Sequence, residues 1–528
     1  MTGRSITSVL SRIASDEPVT TSEEGIRFES RGAVLVIGPP EAAIRASHSL
    51  AKSLSVVACV SGDVPESAPR ANPQFISGRV AMLTGYLGQF VATVHAAKGA
   101  THDLGLFSPN ADGRFDLVLD LSAVPLMRMD ITPLGYFAPT ADGGSLDAAI
   151  EQALALTGSF RKLRYFRFNA DLCAHGAQGV TGCTRCVDAC PTAAISSVGD
   201  MIAIDPYLCQ GCSTCMLVCP TGAVTHSSPL IGDVLPRIAA TQATQQTTNA
   251  PPILLLHEAG DSVASLKGSF DRQALPAIAS VGIETWLSAL SLGVTQVAVK
   301  LAEDIPERTR HALQTEVALA QTLLGAIGES TARVSMVAAE RAQPPDPKMT
   351  SHRAIAPSPP PPTGKREMLM DALRRLQQAA PRVEHVHEAV DLPSGAPLGN
   401  VIVNRDTCTL CMACTNLCPT RALVAGTEGL RLNFVESRCV QCGICASGCP
   451  EKAINLRPRF LLDPDAREAA RLLNEDEKHA CASCGIEFIG RAMLARSMNL
   501  MRASGFLDEQ GLASLRLCPA CRSRSISA

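Results

Sequence analysis

Twenty of the 21 cysteines in this chain of 528 residues fall into five compact groups, and the spacing inside each group limits what the thiols can do. The rhythm C-x2-C-x2-C-x3-C-P occurs three times without variation. It runs through Cys209, Cys212, Cys215 and Cys219-Pro220, then Cys408, Cys411, Cys414 and Cys418-Pro419, then Cys439, Cys442, Cys445 and Cys449-Pro450. A fourth group, Cys173, Cys183, Cys186 and Cys190-Pro191, keeps the end of the pattern and stretches its first gap to nine residues. The groups form two close pairs. A disulfide framework would suit a small secreted domain, whereas soft thiolates grouped in a long chain read as metal ligands.

The late fourth cysteine explains the pairing. Three thiolates at two-residue gaps lie on one tight loop and take three irons of a cubane. The fourth is expected to open a short helix and turn its sulfur to the neighbouring cluster. The proline after it suits such a helix start, where no N–H is needed. The expected [4Fe–4S] ligand sets are therefore crossed. One is Cys173, Cys183, Cys186 and Cys219, and the next is Cys209, Cys212, Cys215 and Cys190. The other pair is Cys408, Cys411, Cys414 and Cys449, beside Cys439, Cys442, Cys445 and Cys418. Each pair resembles the bacterial two-cluster ferredoxin over about sixty residues, down to the lead-ins "DPYLCQGC" and "ESRCVQCGIC" and the exits "CPTGAV" and "CPEKAI". In the stretched group, "AHGAQGVTG" reads as an exposed glycine-rich insertion after Cys173. Two alternatives stay open there: a nitrogen ligand from His175, or a three-iron cluster.

The fifth group differs. "CASC" at Cys481 and Cys484 is followed much later by "CPAC" at Cys518 and Cys521, two knuckles that describe a tetrahedral four-thiolate site for structural Zn²⁺. A single rubredoxin-like iron is the rival. Gly485 suits the turn of the first knuckle, and the apolar spacing of "IEFIGRAMLARSMNLMRASG" predicts a helix packed over both.

The elements that must hold these groups read as α/β. "GAVLVIG" (Gly32 to Gly38), "SVVACV" (Ser55 to Val60) and "FDLVLDLS" (Phe115 to Ser122) are strands, with "PEAAIRASHSLAKSL" a helix between the first two. The turn "IGPPEAA" lacks the glycines that let a pyrophosphate approach backbone, so no nucleotide site is expected. Cys59 is a small core residue. A second α/β segment starts near Ile253. Its "LSALSLGVTQVAV" at Leu287 to Val299 resembles the small iron–sulfur subunit that links hydrogenases to heterodisulfide reductase, without that subunit's cysteines. His257 and His352 are lone histidines with no partner in the pattern.

The expected organisation is an N-terminal α/β domain (1–160), ferredoxin module I (161–226), a second α/β domain (227–340), and a proline-rich spacer (341–365). A helix and connector (366–398), ferredoxin module II (399–460) and a helical zinc-ribbon-like unit (461–528) complete it. The spacer, with Pro357 and Pro359 to Pro362, predicts an exposed, semi-rigid separation of two halves. The helix from Arg366 to Ala380 is expected to cover module II. The fold class is thus α/β plus α+β, with both Rossmann-like segments lacking nucleotide fingerprints.

A hydrophobic content of 46% with 18% charged residues describes a globular chain, and a net charge of −3 offers no basic field to nucleic acid. No apolar run is long enough for a membrane span, and "MTGRSITSVLSRIASDEP" has serines and charges where a signal peptide needs an apolar core, so the cytoplasm is expected. No nucleophile-and-base pair or phosphate loop appears, which leaves an electron carrier rather than an enzyme. The order of parts, above all "CAHG…TGCTRC" and "CASCGIEF…LCPAC", resembles bacterial iron–sulfur proteins associated with molybdenum formate dehydrogenases. That resemblance implies electron transfer with redox proteins, formate dehydrogenase among them. Two other classes compete. A cluster-maturation factor would lose its clusters to an apo-partner, and an oxidoreductase subunit would carry flavin or nicotinamide.

Overall fold

The uninterrupted apolar run Ala33–Gly38 is buried at every residue, which calls for parallel neighbours and cover on both faces. The computed structural model describes residues 25–64, 72–95, 100–139, 143–227, 234–245, 253–261, 270–337, 362–380 and 388–526. In it, Ala33–Gly38 lies at the centre of a five-stranded parallel sheet, ordered Gln74–Ser77, Ser55–Val60, Ala33–Gly38, Leu117–Asp120, Tyr136–Phe137. Alternation along the strands makes two cores. Val34, Val36, Leu117 and Leu119 pack towards helices Pro40–Leu50 and Leu146–Ala155, and Leu35, Ile37, Val57 and Cys59 pack on the other side. The second side is covered by an antiparallel ribbon, Arg79–Thr84, Val91–His95 and Thr101–Asp103, through Val80, Phe90, Ala92 and Val94. Strand Ile26–Ser30 pairs antiparallel with Gly158–Lys162, which carries the chain out towards the first cysteine module.

The second α/β unit is a four-stranded parallel sheet ordered Phe270–Leu275, Ile253–Glu258, Gln296–Lys300, Val334–Val337. Helices Ile283–Ser291 and Glu307–Ala326 pack on it. His257 is buried within its first strand, with Nδ1 2.9 Å from the Glu258 carbonyl.

The two cysteine modules share one plan. Module I pairs Phe166–Phe168 with Val224–His226 and Ile195–Val198 with Met201–Ile204. Module II pairs Gly399–Val403 with Ile454–Leu461 and Leu423–Ala425 with Leu430–Phe434. Each holds two one-turn helices: Arg185–Ala189 and Thr214–Val218, then Ala413–Leu417 and Ile444–Ser447. Strand Arg471–Asp476, read above as part of the C-terminal unit, adds to the module II sheet beside Leu430–Phe434.

Two expectations about the middle of the chain change. Residues 338–361, with His352 and most of the proline spacer, lie outside the described residues. The parts on either side are not held apart: Leu217 of module I, Trp286 of the second α/β unit, Leu373, and Phe460 of module II belong to one continuous core. Helix Lys365–Ala379 is the reason. Met368, Leu369, Ala372, Leu373 and Leu376 form one buried stripe at helical spacing. That stripe packs on helix Ile283–Ser291 of the α/β unit, so the helix does not serve as a lid on module II alone. Among the described residues no helix is long and apolar enough to cross a membrane.

Candidate metal centres

A loop that aims three thiols inward must bend sharply, and it does so through left-handed backbone. In each unbroken C-x2-C-x2-C stretch the residue before the second cysteine and the one after it both have positive φ. These are Gly211 and Ser213, Leu410 and Met412, and Gln441 and Gly443. The third residue after each fourth cysteine does the same: Ala193, Gly222, Arg421 and Lys452. For residues with a side chain this conformation is unfavourable, so its recurrence at equivalent positions marks a constraint imposed by the site. Its consequence is that successive backbone N–H groups face the same concavity, a cradle for anions and for thiolate sulfur. The amides of Ala194, Ala422 and Ala453 donate to Sγ of Cys190, Cys418 and Cys449 at 3.3, 3.2 and 3.4 Å. The Gln441 side-chain amide donates to Cys439 Sγ at 3.3 Å.

The expected helix start at the fourth cysteine is replaced by a helix end. Cys190, Cys219 and Cys418 each cap the C-terminus of a one-turn helix in extended conformation, and Cys449 follows directly on Gly448, which caps the fourth. The proline is responsible, since its ring excludes α geometry from the residue before it.

The thiols gather in fours across the repeats. Burial, then the charges of Cys219, Cys183 and Cys173, push the Cys186 thiol up to about 12. Burial, then Cys212, Cys209 and Cys190, hold Cys215 well above its usual range. Burial, then Cys408, Cys411 and Cys449, push Cys414 up to about 12. Burial, then Cys439, Cys442 and Cys418, raise Cys445. The Cys408, Cys411, Cys414 and Cys449 group lines a small apolar pocket together with Leu432 and Ile454. A buried thiol raised by its neighbours, as Cys186, Cys215, Cys414 and Cys445 are, ionises only if cationic charge stands beside it, so these donor sets fit a compact cluster of metal ions.

The groups also follow one another in a line. Helix Arg185–Ala189 packs on Thr214–Val218 within module I, the hairpin strand Val180–Thr181 packs on Ile444–Ser447 across the junction, and Ile444–Ser447 packs on Ala413–Leu417 within module II. The order in space is the Cys209 group, the Cys173 group, the Cys439 group and the Cys408 group, with the junction between modules in the middle. The stretched loop makes that junction. Residues 174–182 are not a free insertion but a hairpin, Gly176–Ala177 with Val180–Thr181, closed by Gln178 and Gly179, both at positive φ. It returns Cys183 beside Cys173, with the Cys183 amide donating to the Ala174 carbonyl at 3.0 Å. Its base sits against helix Ile444–Ser447, and any Cβ at Gly182 would collide with Ile444. His175 is buried, with Nδ1 2.8 Å from the Cys183 carbonyl and Nε2 without a partner.

Sequence reading missed the cations that bind the loop carbonyls. Lys162, 5% exposed, donates from Nζ to the carbonyls of Tyr207 and Cys209 at 2.7 and 2.8 Å. Burial lowers its pKa to about 8. Arg308 donates to the Cys190 carbonyl at 2.7 Å. Lys365 donates to the Met216 and Leu217 carbonyls, and Arg366 to those of Pro397, Ser437 and Cys439. No local pattern marks them. The left-handed positions did leave a signal, because aligning the chain's own repeats puts glycine at each of those positions in one copy: Gly211, Gly443 and Gly222.

The sulfurs of Cys481, Cys484, Cys518 and Cys521 all lie within 4.8 Å of one another. The 3.7 Å between Cys484 and Cys518 matches the sulfur–sulfur edge of about 3.8 Å in a zinc tetrahedron with Zn–S near 2.3 Å. The Cys518 amide, donating to Cys481 at 3.2 Å, leads in drawing that thiol down to about 6. Gly485 turns the first knuckle at φ +75°. Helix Arg491–Ser504 does not cover the knuckles as expected. Phe488 and Leu517 pack on them, and Leu494 is the helix's one buried residue.

Comparison with known proteins agrees on the cysteine modules. Residues 181–223 and 400–456 each match the 4Fe-4S dicluster domain family. Pyruvate synthase subunit PorD of Thermotoga maritima is 37% identical over 57 residues, 11% of this chain and 57% of that protein. The chain thus spans little over half the length of that relative.

Proposed function

From two 4Fe-4S dicluster domains, which make this an iron–sulfur protein of ferredoxin type with provision for four [4Fe–4S] centres, we propose that the chain is an electron relay between redox partners. The serial packing of the elements that carry the four thiol groups supports this reading, because it gives electrons one path through both modules. The ligand sets would be Cys209, Cys212, Cys215 and Cys190; Cys173, Cys183, Cys186 and Cys219; Cys439, Cys442, Cys445 and Cys418; and Cys408, Cys411, Cys414 and Cys449. When bound, a [4Fe–4S] centre accepts and returns one electron. The protein's part is to fix the thiols, to donate amide N–H groups to their sulfurs and to exclude water, all of which set how readily the electron is held. Cys411, exposed at one end of the line, is the natural point of exchange.

Cys481, Cys484, Cys518 and Cys521 would hold a structural Zn²⁺ that shapes the C-terminal unit. The partner class we favour is a redox enzyme complex. PorD is named as a subunit of pyruvate synthase, and the "CAHG" and "CASCG" motifs favour a molybdenum formate dehydrogenase. A reducing compartment, the cytoplasm, suits twenty thiols kept for metals.

The test is anaerobic purification with metal analysis and EPR during reductive titration. The relay requires about sixteen irons and one zinc per chain. It also requires signals from reduced centres that interact magnetically, and no flavin bands. A colourless, iron-free protein would end the proposal.

A further inference from the structure

Helix Lys365–Ala379 begins at the junction of the two modules, and its first two residues reach in opposite directions. Lys365 Nζ donates to the carbonyls of Met216 and Leu217 in module I, both at 2.7 Å. These residues lie between Cys215 and Cys219, on the helix that Cys219 ends. Arg366 donates from Nε and Nη2 to the carbonyls of Ser437 and Cys439 at 2.8 and 2.7 Å, at the entry to the facing group in module II, and from Nη1 to that of Pro397 at 2.8 Å. Lys365 also packs on the turn that follows Cys219, its Cβ 3.0 Å from where a Cβ on Gly222 would stand.

Neither cation is a surface charge held by chance. Lys365 also lies 3.7 Å from the buried Glu284 carboxylate, and all three hydrogen-bonding nitrogens of Arg366 are spent on backbone carbonyls. The helix behind them is anchored in the core by Leu369, Leu373 and Leu376. The pair therefore occupies fixed positions near the contact between modules, where Gly182, beside Cys183, meets Ile444, beside Cys445.

On the relay reading above, we infer that Lys365 and Arg366 are positioning residues for transfer across the junction. Each places a fixed positive charge beside one of the two facing centres, Lys365 at the Cys219-ligated one and Arg366 at the Cys439-ligated one. Each therefore makes its own centre easier to reduce, because the added electron gains the attraction of a cation in a medium that screens poorly. Together they keep the two facing centres matched, so that neither becomes a barrier.

The experiment uses the full chain, reconstituted anaerobically, with Lys365→Met, Arg366→Met, the double variant, and the charge-keeping Lys365→Arg and Arg366→Lys. Midpoint potentials come from EPR-monitored titration, with iron content and thermal melting measured alongside. One centre should become harder to reduce in K365M, a different one in R366M, and both in the double variant. The charge-keeping pair should leave the potentials near those of the parent even if the melting temperature falls. Unshifted potentials at full iron content would overturn the inference, as would the same centre moving in both single variants, or equal shifts in the charge-keeping variants. Failure of the relay reading itself looks different: the parent protein would then lack iron or reducible centres before any substitution is made.

Discussion

Lys162 offers the sharpest test of how the tertiary structure acts on a centre. It stands at the end of strand Gly158–Lys162, paired with Ile26, with its ammonium 5.1 Å from the centre of the Phe28 ring and no more than a carbonyl away from Cys209. Tyr207 stacks on Tyr86 at 4.6 Å beside it, so water has little access. A unit charge at about 4 Å acts with about 4 kcal/mol at the effective dielectric near a protein surface, so at roughly twice that separation from the cluster it contributes about 2 kcal/mol. With a tenfold change in equilibrium worth about 59 mV for one electron, Lys162→Met should lower the potential of the Cys209-ligated centre by roughly 50–100 mV. The same substitution leaves two carbonyls without their donor, at a cost of about 1–3 kcal/mol each. A fall in melting temperature is therefore expected and must be separated from the redox effect. Lys162→Arg, which keeps the charge, should lose stability without a comparable shift in potential. The assay is anaerobic EPR titration on protein of verified iron content. Potentials that stay put in Lys162→Met with all irons present would refute the reasoning, because they would mean that the charge is screened or points away from the cluster.

The proposed crossed ligation predicts that Cys449→Ala damages the Cys408 group and Cys418→Ala the Cys439 group. Each should lose up to about four irons, and loss of the centre on the mutated residue's own loop instead would contradict the crossing. Cys521→Ser should remove one zinc and unsettle the C-terminal unit while iron content stays unchanged, as metal analysis and limited proteolysis would report. Glu316, buried on helix Glu307–Ala326, has its carboxyl pushed from 4.5 up to about 7, first by burial, against which Lys365 pulls it down. A carboxyl raised in the folded state stabilises fully below about pH 4.5, and this contribution is lost as pH rises to about 7, at most about 3 kcal/mol in all. Glu316→Gln should therefore melt higher than the parent at pH 8 and much the same at pH 5. A gain that is equal at both pH values would show that Glu316 does not titrate there.

Several parts of this molecule could be read directly from the residues. Strands such as Ser55–Val60 begin and end where apolar β-branched runs do, and helix Glu307–Ala326 follows its 3.6-residue stripe. The antiparallel ribbon at Arg79–Thr84 escaped because its faces alternate weakly and its register shifts at a bulge between Val80 and Met82. The hairpin between Cys173 and Cys183 reads in the sequence only as an exposed glycine-rich insertion. Its strands are two residues long, too short for periodicity to register, and what orders it is Ile444 across the module junction. The helix at each fourth cysteine was placed on the wrong side of it, although Cys-Pro itself carries the signal that a helix ends there.

The sequence by itself determined that the thiols fall into two dicluster modules and a separate group of four. Cysteine spacing is a property of single loops, and the repeats state it four times over. Only the tertiary structure decided the order of the groups, the meeting of Gly182 with Ile444, and the cations brought to the Cys209, Cys219 and Cys439 loops from 45 to 149 residues away along the chain. The reason is physical. A ligand loop closes through local backbone turns that each residue type favours or resists, whereas a buried charge reaches its target through packing that no local stretch of sequence encodes.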